Sequence, residues 1–122
     1  MTTRQKAIEH YPLFRKSLEN VTGVKWIPEF HVYKEDKKGA KPLRADLANP
    51  ELKIAIEIEG GIFQQGGHSS ITGILRDIKK SNCYVSNGWK LIRLLPSELM
   101  TSATFDLVKK VINLKLRKDE EK

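Results

Sequence analysis

Residues 52–59, with the sequence LKIAIEIE, constrain the fold of this chain more than any other stretch. Because side chains on a strand alternate between its two faces, one face of this segment carries a leucine and three isoleucines. The opposite face carries Lys53, Ala55, Glu57 and Glu59, so it is only partly polar, and Ala55 can lie beneath another element. The pattern predicts a central strand that ends in two acids on the same face, directly before two glycines.

Length and composition predict a single domain over residues 1–122. The 39% of hydrophobic and 30% of charged residues are typical of a globular chain, and only a charged tail of about residues 117–122 is expected to fray. No uncharged run approaches the roughly 20 residues of a membrane span, and the first residues contain no apolar secretion signal. With Cys83 as the single cysteine, we expect a cytoplasmic protein without a membrane partner.

The charge balance favours a polyanionic partner. The chain has 22 Lys and Arg residues against 15 Asp and Glu residues, which leaves a formal charge of +7. Such an excess on a small domain favours DNA or RNA, although a basic surface that serves only solubility is the alternative.

Hydrophobic periodicity and turn residues predict the element order α-β-β-β-α-β-α. The predicted helices are residues 12–20, residues 72 to about 86, and a last helix that begins at Ser97. The predicted strands are residues 29–34, 43–48, 52–59 and 89–95. A tight turn at Asn49 and Pro50 joins the second and third strands, and a helix joins the third and fourth, which implies one antiparallel and one parallel pair. We therefore expect an α/β (α+β) fold with a mixed sheet flanked by helices.

The same periodicities assign side chains to faces. The second strand is expected to place Leu43, Ala45 and Leu47 on one face and Arg44, Asp46 and Ala48 on the other. The middle helix is expected to carry an apolar face made of Ile74, Leu75, Ile78 and Val85.

The tight turn brings a third acid to the end of the central strand. Asp46 is expected opposite residues 55–57, so that Asp46, Glu57 and Glu59 converge within roughly 5–8 Å. Acids grouped in this way repel one another unless a cation lies among them, and hard oxygen ligands suit Mg2+ or Mn2+. The main-chain carbonyl of Ile58 is a further candidate ligand. The alternative is that the acids are solvated charges that prevent association between sheet edges.

These residues resemble the motif of the PD-(D/E)XK nuclease superfamily. Asp46 is followed eleven residues later by Glu57-Ile58-Glu59, and residues 43–95 look most like the small branch related to Vsr repair endonucleases and phage-type endonucleases. The resemblance implies a restriction-endonuclease-like α-β-β-β-α-β core, here with a C-terminal helix, and Mg2+ held by Asp46 and Glu57. Two departures from the family pattern are visible. Glu59 stands where the family usually has a lysine, and Ala45 stands where it usually has a proline.

The resemblance also implies roles for residues that follow the motif. Asp77 and Lys80 lie on one face of the middle helix and would face the site, with Lys80 stabilising phosphate charge or replacing the absent lysine, and Asp77 supporting it. The alternative is a surface ion pair between the two. His68 would shuttle a proton or contact phosphate, although a lone histidine in a loop is more often incidental. Glu59 would act as a general base, as an outer metal ligand, or not at all.

Two loops and the middle helix supply candidate DNA contacts. A basic run near the first loop would attract phosphates, and polar residues of the glycine-rich loop could contact phosphates or base edges. These candidates are Lys37, Lys38, Lys41, Arg44, Gln64, Gln65, Ser69, Ser70 and Arg76. The alternatives are a solvated charge run and a loop that binds no ligand.

The interpretation is therefore a Mg2+-dependent DNA endonuclease that hydrolyses phosphodiester bonds in duplex or branched DNA. A homodimer would let so small a domain cut both strands, and the resemblance implies a bacterial or phage-infected cell and a role in DNA repair or recombination. The alternative function is a catalytically inactive nucleic-acid-binding module that keeps the nuclease fold.

Overall fold

The computed structural model describes residues 12–33, 43–59 and 71–120. In these ranges the element order is α-β-β-β-α-β-α, as predicted. The elements are α1 (Pro12–Thr22), β1 (Ile27–Tyr33), β2 (Leu43–Asn49), β3 (Ile54–Ile58), α2 (Ile71–Ser86), β4 (Lys90–Leu94) and α3 (Ser102–Glu120), with a short 3-10 helix (Pro96–Glu98) before α3.

The four strands form one mixed sheet in the order β1-β2-β3-β4. The β1–β2 and β2–β3 pairs are antiparallel, whereas β3 and β4 are parallel and are connected through α2. In the β2–β3 turn, the Leu52 amide donates a hydrogen bond to Oδ1 of Asn49 (2.9 Å), and the Asn49 side-chain amide donates to the carbonyl of Lys25 (2.9 Å). The turn and the mixed α+β architecture confirm the prediction for the described residues.

β3 is buried along its whole length because each face of the sheet is covered. Its three isoleucines pack with residues of α1 and α3, including Phe14, Leu18, Val108 and Ile112. Ala55, on the other face, packs in a second cluster with Tyr84 of α2 and with Trp89. Ala55 therefore lies beneath another element, and β3 is the interior strand that its sequence predicts.

α2 does not pack its apolar stripe on the sheet. Ile71, Ile74, Leu75, Ile78 and Val85 are between 48% and 77% exposed, and of all the residues of α2, each of which is described, Tyr84 alone is buried. The stripe that faces the sheet includes Asp77, Lys80 and Tyr84, spaced three and four residues apart. In this orientation the charged side chains of α2 meet partners on β3 and β4.

The last helix begins later than predicted. Thr101 caps it, since the amide of Thr104 donates to the Thr101 hydroxyl (3.3 Å), and the 3-10 helix precedes this cap, so the predicted start at Ser97 is wrong. The backbone stays helical to Glu120, into the tail for which fraying was expected, because Leu, Lys, Arg and Glu all favour helix. None of the helices in the described ranges is long and apolar enough to cross a membrane.

Candidate active site

Asp46 occupies the point where the β2–β3 ladder ends. The ladder runs from the Asn49–Ile54 pair to the Leu47–Ile56 pair, and Asp46 is the next residue of β2. Its side chain, 1% exposed, accepts a hydrogen bond from the main-chain amide of Ile58 at 2.7 Å through Oδ2. The Asp46 carboxylate thus accepts a hydrogen bond of the kind that a main-chain carbonyl accepts in a regular ladder. This bond holds the side chain of Asp46 beside Ile58, the residue that follows Glu57 on β3.

The regular alternation of β2 breaks at Asp46. Ala45 lies in the cluster beneath α2, whereas Leu47 lies in the cluster beneath α1 and α3, although the two residues are two positions apart. The prediction that Ala45 and Leu47 share a face is therefore wrong. The cause is a local distortion of the strand, which also allows Asp46 and Leu47 to line the same cavity.

The paired strand β1 is distorted at the same level. Glu29 has a φ of 51°, in the left-handed region that non-glycine residues rarely adopt. Its neighbours Pro28 and Phe30 pair with Leu47 and Ala45, so the unusual residue lies opposite Asp46. Backbone strain of this kind persists where surrounding contacts hold it, and it concentrates at functional sites.

A cavity of about 200 Å3 opens beside Asp46 on the α1 side of the sheet. Its walls are mainly apolar, with the Asp46 carboxylate and the Arg15 side chain as the charged groups among its described lining residues. The complete described lining is Pro12, Phe14, Arg15, Pro28, Asp46, Leu47 and Ile58.

Glu57 and Lys80 form an ion pair between β3 and α2. Glu57 is 5% exposed, and the Lys80 ammonium lies 2.5 Å from its Oε1. Burying a carboxylate costs free energy unless it is paired, so the lysine offsets part of the cost of burying Glu57 at this position. The structure therefore brings together two of the residues that the sequence singles out, which lie 23 residues apart in the chain.

Glu59 and Asp77 are joined by a residue that the sequence interpretation missed, Arg93 of β4. The Arg93 Nε donates to Oε1 of Glu59 (2.6 Å), and its two terminal nitrogens donate to the two oxygens of Asp77 (2.8 and 3.0 Å). A weaker contact reaches the Ser81 hydroxyl at 3.3 Å. The hydrogen bonds that Arg93 donates to Glu59, and then those to Asp77, raise the pKa of Arg93, so its guanidinium stays charged.

The sequence contains only part of the information about Arg93, namely its alternation with Leu91 along β4. In the parallel pairing, Arg93 stands opposite Glu57, and Leu91, two residues earlier, stands opposite Ala55. Alternation along β4 therefore places Arg93 on the face that carries the acids. Asp77 and Lys80 have separate partners on the strands, which replaces the alternative of a surface pair between the two.

The expected convergence of three acids does not occur. The described residues contain no group of three or more His, Cys, Asp or Glu side chains that could hold a metal ion. The Glu59 carboxylate is held by Arg93 instead, which leaves Asp46 and Glu57 as the buried acids at this end of the sheet. Two carboxylates and a main-chain carbonyl are hard oxygen donors of the type that Mg2+ and Mn2+ prefer, so the chemistry of these donors suits such an ion.

Most of the candidate DNA contacts lie outside the described residues. This holds for Lys37, Lys38 and Lys41 in the first loop and for Gln64, Gln65, His68, Ser69 and Ser70 in the second. Arg44 is described and forms an exposed ion pair with Glu29 at 3.0 Å. Arg76 is exposed on α2.

Comparison of the chain with protein-family models, with curated proteins and with solved structures finds no match. The nuclease resemblance described above therefore remains a prediction from the sequence.

Proposed function

We propose that this protein is a divalent-metal-dependent DNA endonuclease whose site lies at the ends of β2 and β3. The observation that carries the proposal is the pair of buried acids there, Asp46 and Glu57, with the Lys80 ammonium held against Glu57. Buried carboxylates are costly, so two of them at the same end of the sheet, one of them paired with a cation, favour a chemical role over a structural one.

Asp46, Glu57 and the carbonyl of Ile58 would hold the metal. A bound Mg2+ would supply Lewis-acid activation of water and neutralise charge on the phosphodiester. The hydrogen bond from the Ile58 amide to Asp46 keeps that carboxylate at a fixed place on β3, so the chain itself positions one ligand. Mn2+ prefers similar ligands and is an alternative ion.

Lys80 would supply the positive charge that the family motif usually carries in the strand. The strand position is occupied by Glu59, which bonds to Arg93, whereas the lysine comes from α2 and contacts the strand acid. A cation at this place can hold the orientation of Glu57 and stabilise charge on a reacting phosphate.

DNA is the substrate that the charge of the chain favours. The formal charge of +7 gives attraction to a polyanion, and Arg44 and Arg76 are exposed within the described ranges. The proposal includes duplex or branched DNA in a reducing cytoplasm, in a bacterial or phage-infected cell, with repair or recombination as the setting and a homodimer as the form that cuts both strands.

The second candidate is a nucleic-acid-binding module without catalysis. It is favoured by Glu59, which replaces the motif lysine and forms an ion pair with Arg93. In that case the charged groups at the end of the sheet would serve stability alone.

A cleavage assay separates the two candidates. The protein is incubated with supercoiled, mismatched and branched DNA in the presence of Mg2+, Mn2+ or EDTA. We expect cleavage with either metal, none in EDTA, and loss of cleavage with retained DNA binding in Asp46→Ala and Glu57→Ala. Glu51→Gln, an exposed acid in the β2–β3 turn, is the matched control and should cleave normally. Undiminished cleavage in both alanine variants would remove these acids from the mechanism, and DNA binding without cleavage of any substrate would support the module.

A further inference from the structure

We propose that Arg93 is a positioning residue that fixes α2 against the sheet, so that Lys80 of the helix meets Glu57 of β3. The proposal deepens the proposed function and rests on it where cleavage is measured. It also assigns Glu59 to the support of Arg93 rather than to the metal or to proton transfer.

The geometry of Arg93 fits this role. Its side chain reaches from β4 to β3 and to α2 at the same time, with a bond of 2.6 Å to Glu59 and a two-nitrogen contact to Asp77. Asp77 precedes Lys80 by three residues, so both side chains project from the same part of the helix. Fixing Asp77 therefore fixes the rotation of the helix that presents Lys80.

Because of the way α2 packs, the contact between Arg93 and Asp77 has a larger effect on the orientation of the helix than an ordinary surface ion pair would have. Among the residues of α2, which are all described, Tyr84 is the one that is buried, and the apolar stripe points away from the sheet. A helix with so little buried apolar surface gains little orientation from hydrophobic packing. The charged contacts to β3 and β4 must then decide which face of α2 meets the sheet.

Arginine is suited to the position in a way that lysine is not. A guanidinium offers five donors in a planar fork, so it can engage both oxygens of Asp77 while its Nε bonds to Glu59. A lysine keeps the charge but offers one point of contact. The substitution Arg93→Lys therefore removes the geometry and preserves the net charge.

The test compares single-turnover cleavage by Arg93→Lys and Asp77→Asn with Lys79→Ala as control. Lys79 is an exposed neighbour on the same helix. We expect the rate constant to fall about 10- to 100-fold in the first two variants, with DNA affinity within about twofold and no change in the control. Circular dichroism verifies that each variant is folded.

A double variant shows whether Arg93 acts through Lys80. In the Lys80→Ala background, Arg93→Lys should change the rate less than about threefold, because the residue that it positions is already absent. Effects that multiply in the double variant would overturn the proposal and would indicate that Arg93 acts on the substrate directly. An unchanged rate in the single Arg93→Lys variant would overturn it as well.

An NMR measurement decides the proposal without a substrate. The ammonium signal of Lys80, assigned by its loss in Lys80→Ala, should be protected from solvent exchange in the unmodified chain and lose this protection in Arg93→Lys. A signal that is equally protected in Arg93→Lys would overturn the proposal. If the unmodified chain cleaves no DNA, the proposed function fails, and the NMR result still decides whether Arg93 positions Lys80.

Discussion

Lys80 reaches the buried Glu57 from a helix, while the position two residues after Glu57 holds an acid. The spacing Asp46, Glu57 and Glu59 was legible in the sequence, and so was the presence of Asp77 and Lys80 on one helix face. Arg93 was missed because its role depends on the register between β3 and β4, which no local pattern specifies. The role of Glu59 likewise cannot be assigned from the sequence, because it depends on the contact with Arg93.

Removing the Lys80 ammonium is expected to damage both stability and activity. Lys80→Ala leaves Glu57 buried without its cation, which should cost about 1–3 kcal/mol in the free energy of unfolding. The cleavage rate should fall about 100- to 1,000-fold, because a cation next to the reacting phosphate is lost. Urea unfolding and single-turnover cleavage measure the two effects.

The control for this prediction is Lys79→Ala, which removes an exposed ammonium one position away. It should change the free energy of unfolding by less than about 0.5 kcal/mol and leave the rate unchanged. Equal turnover in Lys80→Ala and in the unmodified chain would show that the ion pair with Glu57 is only structural.

At the scale of elements, this sheet differs from a regular one in the paired strands β1 and β2, which are both irregular at the level of Glu29 and Asp46. The alternation of apolar residues correctly predicted β3, whose two faces are both buried. It failed on β2, where Ala45 and Leu47 lie on opposite faces, because a pattern with a period of two contains no information about where a strand bends. The change of face lies at Asp46, opposite the left-handed backbone of Glu29.

The left-handed backbone conformation of Glu29 leads to a prediction about stability in which two substitutions at this position are compared with each other. Both Glu29→Gly and Glu29→Ala remove the ion pair with Arg44, so their difference reports mainly the backbone conformation of residue 29. At a φ of 51° an alanine is strained and a glycine is not, so Glu29→Gly should be more stable than Glu29→Ala by about 1 kcal/mol. Chemical denaturation measures this difference, and the reverse order would mean that the strand is regular there.

α2 shows the second limit of pattern-based prediction at this scale. Its apolar stripe was correctly identified as a stripe, yet it faces away from the sheet. The ion pairs of Lys80 with Glu57 and of Asp77 with Arg93 set the rotation of the helix, and both depend on contacts between elements distant in the chain. Periodicity locates a helix, but the partners of its charged face determine how that helix is turned.

At the scale of the whole molecule, the described residues form a four-stranded mixed sheet that buries an apolar cluster on each face and has a charged network at one end. The order of the elements and the mixed sheet followed from the sequence, since turn residues and apolar periods are local properties. The formal charge of +7 belongs to the same scale, because it acts on a polyanion through the summed field and not through one contact.

The net charge predicts a salt-dependent affinity for DNA. If about three phosphates are neutralised on binding, raising the salt concentration from about 50 to about 200 mM should weaken binding about 10- to 100-fold. Arg44→Gln, which removes one exposed cation, should reduce the slope of log K against log salt by about 1. Fluorescence anisotropy with a short labelled duplex measures both, and an affinity independent of salt would contradict an electrostatic interface.

The central claim is that Asp46 and Glu57 hold a divalent ion, and Mn2+ binding followed by electron paramagnetic resonance tests it most directly. Asp46→Asn and Glu57→Gln keep an oxygen for the Ile58 amide and for Lys80 respectively, so the fold should survive while a charged ligand is lost. We predict that Mn2+ binds the unmodified chain and the Glu51→Gln control equally, and that its affinity falls by more than about tenfold in each of the two site variants. Mn2+ affinity that is the same in all four proteins would contradict the account.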